Sequence, residues 1–418
     1  MFDNITSVKI YIGPIMKYFI ALFLILLPWS RDPVNNLSMP LPAGAVVAGA
    51  TILPYFFLRF PYLTRFVSKE RSVFYLLLFS IASFLVGVYN LEALNRIDLH
   101  LLGAVSHSYW LVGSKKLLQM LYIVSVFYVF SSLPQNYFAI IRRNWLIGFG
   151  ISLSVHLLVY ITRSAEYLPR AGTFEEGNFA GLYYILTGCL LMSDETLKIS
   201  QKILVLLACT FGILLTESTV GIVTLIFIFA FFVFLRASNL FRLYALMILF
   251  IALLGAYEFN INNFNEKLFN AGPSVENISK YDRVQSFEAG KEIFLDYPLL
   301  GVGIEAYGFV VNDKLDQSEF KFYNFDFRRI PNNVYIELLS QFGLIGFSIV
   351  ALLFFHLFRK LKTCSLYLFV GLYAILLYWV AFPSFSVGYI WAYLGFCQFM
   401  INQCEQKNNR KEDLENRT

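Results

Sequence analysis

Charge is scarce in this chain: Lys, Arg, Asp and Glu make up 15% of its 418 residues, while 58% are hydrophobic. An ordinary soluble domain carries roughly 25% charged residues, so water is excluded as the main solvent. Cysteine is almost as uninformative. Cys189, Cys209, Cys364, Cys397 and Cys404 fall in or beside hydrophobic runs or in the tail, with neither paired nor metal-ligand spacing. None lies between residues 257 and 342, so the longest polar stretch has no disulfide staple and no zinc-type Cys/His cluster. That stretch also lacks histidine; His100, His107, His156 and His356 all sit in apolar surroundings, as packed or interfacial imidazoles do. No phosphate-cradling GxxxxGK[ST], GxSxG elbow or HExxH occurs, which counts against ATP-driven transport and common hydrolytic chemistry. Internal repeats, low-complexity tracts and heptad arrays are missing as well.

What the chain does have is uncharged length. Tyr75–Val88, Ile203–Leu215 and Thr219–Leu235 contain no ionisable side chain, and several such runs approach the roughly 17–25 residues that cross a bilayer core. The first run, Ile15–Pro28, lacks a small-residue cleavage site and reads as a retained helix. Twelve spans are expected, at 15–29, 41–58, 72–91, 117–133, 144–162, 178–193, 203–216, 219–235, 240–256, 343–358, 364–381 and 385–402. The fold class is therefore all-α, a polytopic membrane protein of about twelve transmembrane helices. Residues 1–256 would hold helices one to nine, 257–342 one large outer loop, 343–402 helices ten to twelve, and 403–418 a polar cytoplasmic tail.

Orientation follows from basic loop residues, which resist translocation. Arg59, Arg65, Lys69 and Arg71 mark one inner loop, Arg142 and Arg143 a second, and Lys198 and Lys202 a third. Arg236 with Arg242, and Arg359 with Lys360 and Lys362, mark two more. With twelve spans these five loops share a side with both termini, leaving the large loop outside. The net charge of +5 thus reports membrane orientation, not a nucleic-acid surface. Leu99–Gly113 would disturb this count as a thirteenth span, so it reads as an interfacial or re-entrant helix on the outer side. Lys115 and Lys116 then lie outside, either snorkelling to headgroups or meeting an anionic ligand. The tail from Asn402 is expected to be disordered.

Polar residues with chemical potential gather in two outer segments. The short loop Arg163–Asn178 carries Arg170, eleven residues before Gly181 near the start of a span. A guanidinium there suits a diphosphate, because its planar fork pairs with phosphate oxygens and helix-start N–H groups add donors; lipid headgroups would suit it equally. The large loop contains Tyr281-Asp-Arg283, Glu305, Gly301 and Gly303, whose spacing allows tight turns and close backbone approach. Phe320–Phe327 interleaves aromatics with polar groups, a pattern shared by sugar-stacking segments and interfacial aromatic belts. Arg328, Arg329, Asn332, Asn333, Tyr335 and Glu337 follow. From Asn333 the apolar spacing predicts an amphipathic outer helix that Gly343 breaks before the next span.

Together these segments resemble the O-antigen ligase/polymerase family of bacterial inner-membrane glycosyltransferases, over roughly Arg170 to Phe358. The matching pieces are Arg170-Ala-Gly-Thr-Phe-(five residues)-Ala180-Gly, Leu215-Thr-Glu-Ser218, Tyr297-Pro-Leu-Leu-Gly-Val-Gly303 and Asn332-Asn-Val-Tyr-Ile-Glu-Leu-Leu-(two residues)-Phe-Gly343-Leu-Ile-Gly346. The resemblance implies an undecaprenyl-diphosphate-linked oligosaccharide as donor, no nucleotide sugar or other cofactor at the transfer step, and an active site on the periplasmic face. Ligases of the family carry a His where this chain has Asn332, and the Arg170-to-Gly181 element matches the polymerase branch. The resemblance therefore implies an O-antigen or other surface-polysaccharide polymerase, with both termini cytoplasmic and a possible chain-length regulator as partner. Arg170 and Arg283 would offset charge on the leaving diphosphate, and Glu305 or Glu337 would act as general base. Arg328, Arg329, Asn332, Asn333, Tyr335, Gly301, Gly303 and Asn178 are the candidate substrate-binding residues. A ligase onto lipid A core and a transporter of lipid-linked glycan are the rival readings.

Overall fold

A computed structural model describes residues 17–29, 50, 52–54, 56, 71–100, 106–162, 173, 174, 176–236, 278–311, 314 and 330–415. Its helices in chain order are α1 (Lys17–Leu26), α2 (Arg71–Ala93), α3 (Tyr109–Ser131), α4 (Phe138–Thr162), α5 (Gly177–Met192), α6 (Ile199–Leu215) and α7 (Thr219–Arg236). They continue as α8 (Ile278–Asp296), the single turn α9 (Tyr307–Val310), α10 (Val334–Cys364), α11 (Leu366–Ala381) and α12 (Gly388–Glu415). Most are runs of Leu, Ile, Phe and Val without an interior proline, so nothing interrupts the i to i−4 ladder. Among the described residues, three helical segments are long and apolar enough to cross a membrane: Arg71–Ala93, Gln135–Thr162 and Val334–Cys364. The helices also bury one face and leave another greasy. Leu207 and Phe229 are 62% and 65% exposed, a surface that lipid tolerates and water does not. The protein is a helical membrane protein.

Polar contacts gather at the two ends of this bundle. At one end Arg142 pairs with Asp194 at 2.6 Å, Lys202 donates to the Met192 carbonyl at 3.1 Å and Lys360 pairs with Glu405 at 2.7 Å. Asn402 joins them by donating to the Ser131 carbonyl at 3.3 Å. The start of α4, the junction of α5 with α6, and the ends of α3 and α10 therefore share a side, as the basic-loop pattern predicts.

Three expectations need correction. Leu99–Gly113 is not one helix: Asp98–His100 (β1) and Ser106–Ser108 (β2) pair antiparallel, Asp98 opposite Ser108. The two strands pair with each other, and α3 begins at Tyr109, whose N–H donates to the Ile97 carbonyl at 2.8 Å. The polar tail expected from Asn402 is instead helix to Glu415, tied down by the Lys360–Glu405 and Asn402–Ser131 contacts. Lys116 does not reach for headgroups but is buried in a cluster of ion pairs.

The element that positions the site is a break in α10. Gly343 takes φ +63°, ψ −168° inside an otherwise continuous helix. Such a break strands donors and acceptors on both sides, and the segment Pro298–Gly303 meets them in order. The Leu344 and Ile345 N–H groups donate to the Pro298 and Leu299 carbonyls at 2.8 and 3.2 Å, and the Ser340 and Gln341 carbonyls accept from Val302 and Gly303 at 2.8 and 3.1 Å. Contact this close needs glycine. A Cβ on Gly343 would lie 2.4 Å from the Leu299 backbone, and one on Gly301, at φ +70°, would lie 2.3 Å from that of Gln341.

Gly343→Ala should therefore destabilise the protein by about 2 kcal/mol or more, from left-handed strain plus backbone collision. Gly150→Ala in α4, where a Cβ meets nothing within 4 Å, should be neutral or stabilising by up to about 1 kcal/mol. Thermal unfolding of the two variants side by side in one detergent checks the contrast.

Candidate functional site

Beyond Gly303 the chain holds its course through side chains reaching in from α2, α3 and the link between α2 and β1. Asn90 donates to the Val302 carbonyl at 3.1 Å, Tyr109 to that of Ile304 at 2.8 Å and Arg96 to that of Phe309 at 3.2 Å. Tyr109 is fully buried, stacked on Phe84 at 5.5 Å and edge-on to Phe309 at 5.6 Å. Gly303, at φ +118°, rests on Gly87, where an added Cβ would come within 2.2 Å of the α2 backbone. An irregular segment is thus fixed as firmly as a strand.

On this rail sits Glu305, in the left-handed conformation at φ +60°. That geometry is strained for a residue with a Cβ, by on the order of 1–3 kcal/mol. It persists because the Glu305 N–H donates to Gln341 Oε1 at 2.6 Å. The outcome is a carboxylate aimed at α3. Lys116 Nζ lies 3.0 Å from Glu305 Oε1 and 3.2 Å from Glu337 Oε1, with side-chain exposures of 11% for the lysine and 13% and 7% for the two glutamates. Two carboxylates share one ammonium in a nearly enclosed space, an arrangement that leaves one surplus negative charge. Glu337 lies before the Gly343 break, outside the apolar run that follows. Burial pushes its carboxyl above the usual range; Lys116 opposes the shift and the Glu305 carboxylate reinforces it. A carboxylate whose proton affinity is raised in this way is a stronger base than a free one.

The remaining candidates fall into three sets. Asn333 caps α10: its Oδ1 accepts from the Tyr335 and Ile336 N–H groups at 2.8 and 3.2 Å, and its Nδ2 donates to the Val380 carbonyl at 2.6 Å. Tyr335 donates through its hydroxyl to the Leu376 carbonyl at 2.9 Å, and Gly301 and Gly303 are wholly spent on backbone approach. These four build the frame around the glutamates. Asn332 donates through its N–H to Ser286 Oγ on α8 at 3.2 Å. Asn178, in the first turn of α5, accepts from Ser218 Oγ at 2.6 Å, and Ser218 Oγ in turn accepts from the Gly221 N–H at 3.0 Å. That pair clips the starts of α5 and α7 together. Arg283 is half-buried on α8 and makes no ion pair among the described residues. Arg170, Arg328 and Arg329 lie outside the described residues.

Residues 204–351 match the family model described as O-Antigen ligase. The chain carries an O-antigen ligase family region. No curated protein matches it. The family match spans α6 to the middle of α10, including both glutamates, the three glycines of the interlock and Asn333. Lys116 and Asn178 fall outside it. Sequence reasoning also missed Gln341 and Tyr109, and it left Lys116 unpaired. The one visible signal was that Lys116 runs against the inward bias of basic residues. Its partner Glu337 is 221 positions away, a separation no local pattern reports.

Asn333→Ala removes the cap and the tie to Val380, and should lower stability by about 1–2 kcal/mol. Asn333→Asp keeps the cap and gains from the helix dipole, losing only the donor to Val380, so its loss should be smaller. Denaturation in detergent micelles ranks the two.

Proposed function

We propose that this protein is a surface-polysaccharide polymerase of the O-antigen type, a glycosyltransferase of the bacterial inner membrane. It would move a growing glycan from undecaprenyl diphosphate to a hydroxyl of the next lipid-linked repeat unit, at the periplasmic face. The observation that carries this reading is the convergence of Glu305 and Glu337, from two separate stretches of the family match, on a single lysine. A carboxylate pair of this kind suits the removal of a proton from a hydroxyl. In the transfer, the acceptor oxygen bonds to the anomeric carbon. The bond to the diphosphate oxygen breaks with its electron pair, and the hydroxyl proton passes to a carboxylate. Arg170 and Arg283 are assigned to the diphosphate, where preorganised cations lower the barrier as charge develops. Arg328 and Arg329 are assigned to the same anionic surface, Asn332 and Asn178 to sugar hydroxyls. Asn332 stands where ligases carry histidine, which favours polymerase over ligase.

The proposal includes the topology: twelve spans, the 257–342 loop in the periplasm, and both termini in the cytoplasm. Membrane lipid surrounds the bundle, and a chain-length regulator is a fitting partner because polymerisation has no intrinsic stop.

Deleting the gene should leave surface lipid A core bearing one repeat unit. Complete loss of surface polymer with long carrier-linked chains accumulating would instead mark a ligase. Arg283→Ala and Arg170→Ala should shorten or abolish the electrophoretic ladder at normal protein levels, and wild-type ladders from both would overturn the diphosphate assignment.

A further inference from the structure

Two carboxylates competing for one ammonium are not equivalent, and the geometry separates them. Glu337 belongs to the first turns of α10 and is the more enclosed of the two; Glu305 stands on an irregular segment and is the more open. Glu305 is also the residue for which the fold tolerates left-handed strain, with Gln341 holding its N–H. A strained residue kept in place by its surroundings marks a position where orientation matters. Glu337 adopts ordinary helix geometry and bears its charge where burial opposes it.

Four titratable groups face this cluster among the described residues: Lys116 and Tyr109 from α3, Glu305 from the segment after Gly303, and Glu337 from α10. Gln341 is neutral, and the Tyr109 hydroxyl donates to the Ile304 carbonyl. The charge state is therefore set within the Lys116, Glu305 and Glu337 trio. Its net charge is −1 with both carboxylates ionised and zero with one proton bound. One proton is thus easily gained, and a second would leave the ammonium uncompensated.

Resting on the transfer reaction proposed above, we infer that Glu305 receives the acceptor proton, and that Lys116 and Glu337 are positioning residues that set when Glu305 is free to do so. Lys116, 3.0 Å away, favours the ionised form of Glu305 and holds it against the rail. Glu337 supplies the second negative charge, without which the ammonium would make Glu305 too weak a base. After each transfer Glu305 releases its proton to water.

The test is the pH dependence of chain elongation by purified protein in lipid nanodiscs, using lipid-linked repeat units extracted from a strain lacking this gene. Glu305→Gln should lose about 100-fold or more in rate at every pH, the usual worth of a general base. Lys116→Met removes the cation, so the Glu305 pKa rises and the acid limb of the rate profile moves to higher pH by about one unit or more. Lys116→Arg keeps the charge and should keep the limb near its wild-type place. Glu337→Gln removes a negative neighbour and should move the limb to lower pH, with a rate loss below about tenfold. Where Lys116→Met fails to fold, the double variant Lys116→Met/Glu337→Gln restores the trio's net charge of −1, and should restore both folding and the limb. An unmoved limb in Lys116→Met or in Glu337→Gln, or an active Glu305→Gln beside an inactive Glu337→Gln, would overturn the assignment. Wild-type protein that makes no polymer from these units would overturn the transfer reaction itself, before any variant is read.

Discussion

A single broken turn, at Gly343, organises everything that follows it. An α-helix that stops inside a bundle must find partners for its stranded N–H and C=O groups, and each one left bare in an apolar setting costs about 1–3 kcal/mol. Here the partners come from Pro298, Leu299, Val302 and Gly303, so the break and the segment before Glu305 define one another. Neither is stable without its counterpart. The interlock fixes the register of Glu305 relative to Glu337 as tightly as strand pairing would, in a protein whose described strands are a single three-residue ribbon.

The charge arrangement follows from the same constraint. Glu337 lies on the last stretch of α10 before the break, and Glu305 lies two residues past the last backbone bond of the interlock, that from Gly303 to Gln341. Gln341 serves both sides, its carbonyl accepting from Gly303 and its side chain from the Glu305 N–H. Two carboxylates held at this spacing would repel each other strongly in a medium of low dielectric. The ammonium that relieves the repulsion comes from α3, which carries no backbone irregularity near Lys116 and offers a rigid mount. A rigid cation against two fixed anions leaves the cluster little room to reorganise.

Much of this was legible in the sequence, for physical reasons that can be named. Uncharged runs reveal helices in lipid because every backbone group must be satisfied within the segment; α2, α4 and α10 were found that way. Basic loop residues correctly grouped Arg142, Lys202 and Lys360 at one end. Gly343 was read as a break because apolar spacing resets there. Leu99–Gly113 was misread because its apolar composition suits a helix, while the strand pairing that forms there instead, Asp98–His100 with Ser106–Ser108, depends on partners that composition does not report. The tail was misread because its polarity says nothing of Glu405 meeting Lys360. Lys116 escaped for a deeper reason: an ion pair is a property of two positions, and one chain read in order shows only one of them at a time.

The position of the break also explains why a membrane protein can keep two buried glutamates at all. A carboxylate in the hydrocarbon layer is among the most costly groups to place there, and a continuous α10 would carry Glu337 on the same rod as the apolar run that enters the layer. At Gly343 the rod is interrupted, and the turn before it is bound to Val302 and Gly303 instead. The helix start is anchored by Asn333, which caps it and donates to the Val380 carbonyl in the last turn of α11. The polar half of α10 is thereby clamped between its cap and the interlock. The one non-glycine residue of the segment held in the left-handed conformation, Glu305, therefore stands beside Glu337 at the face where the clamp lies.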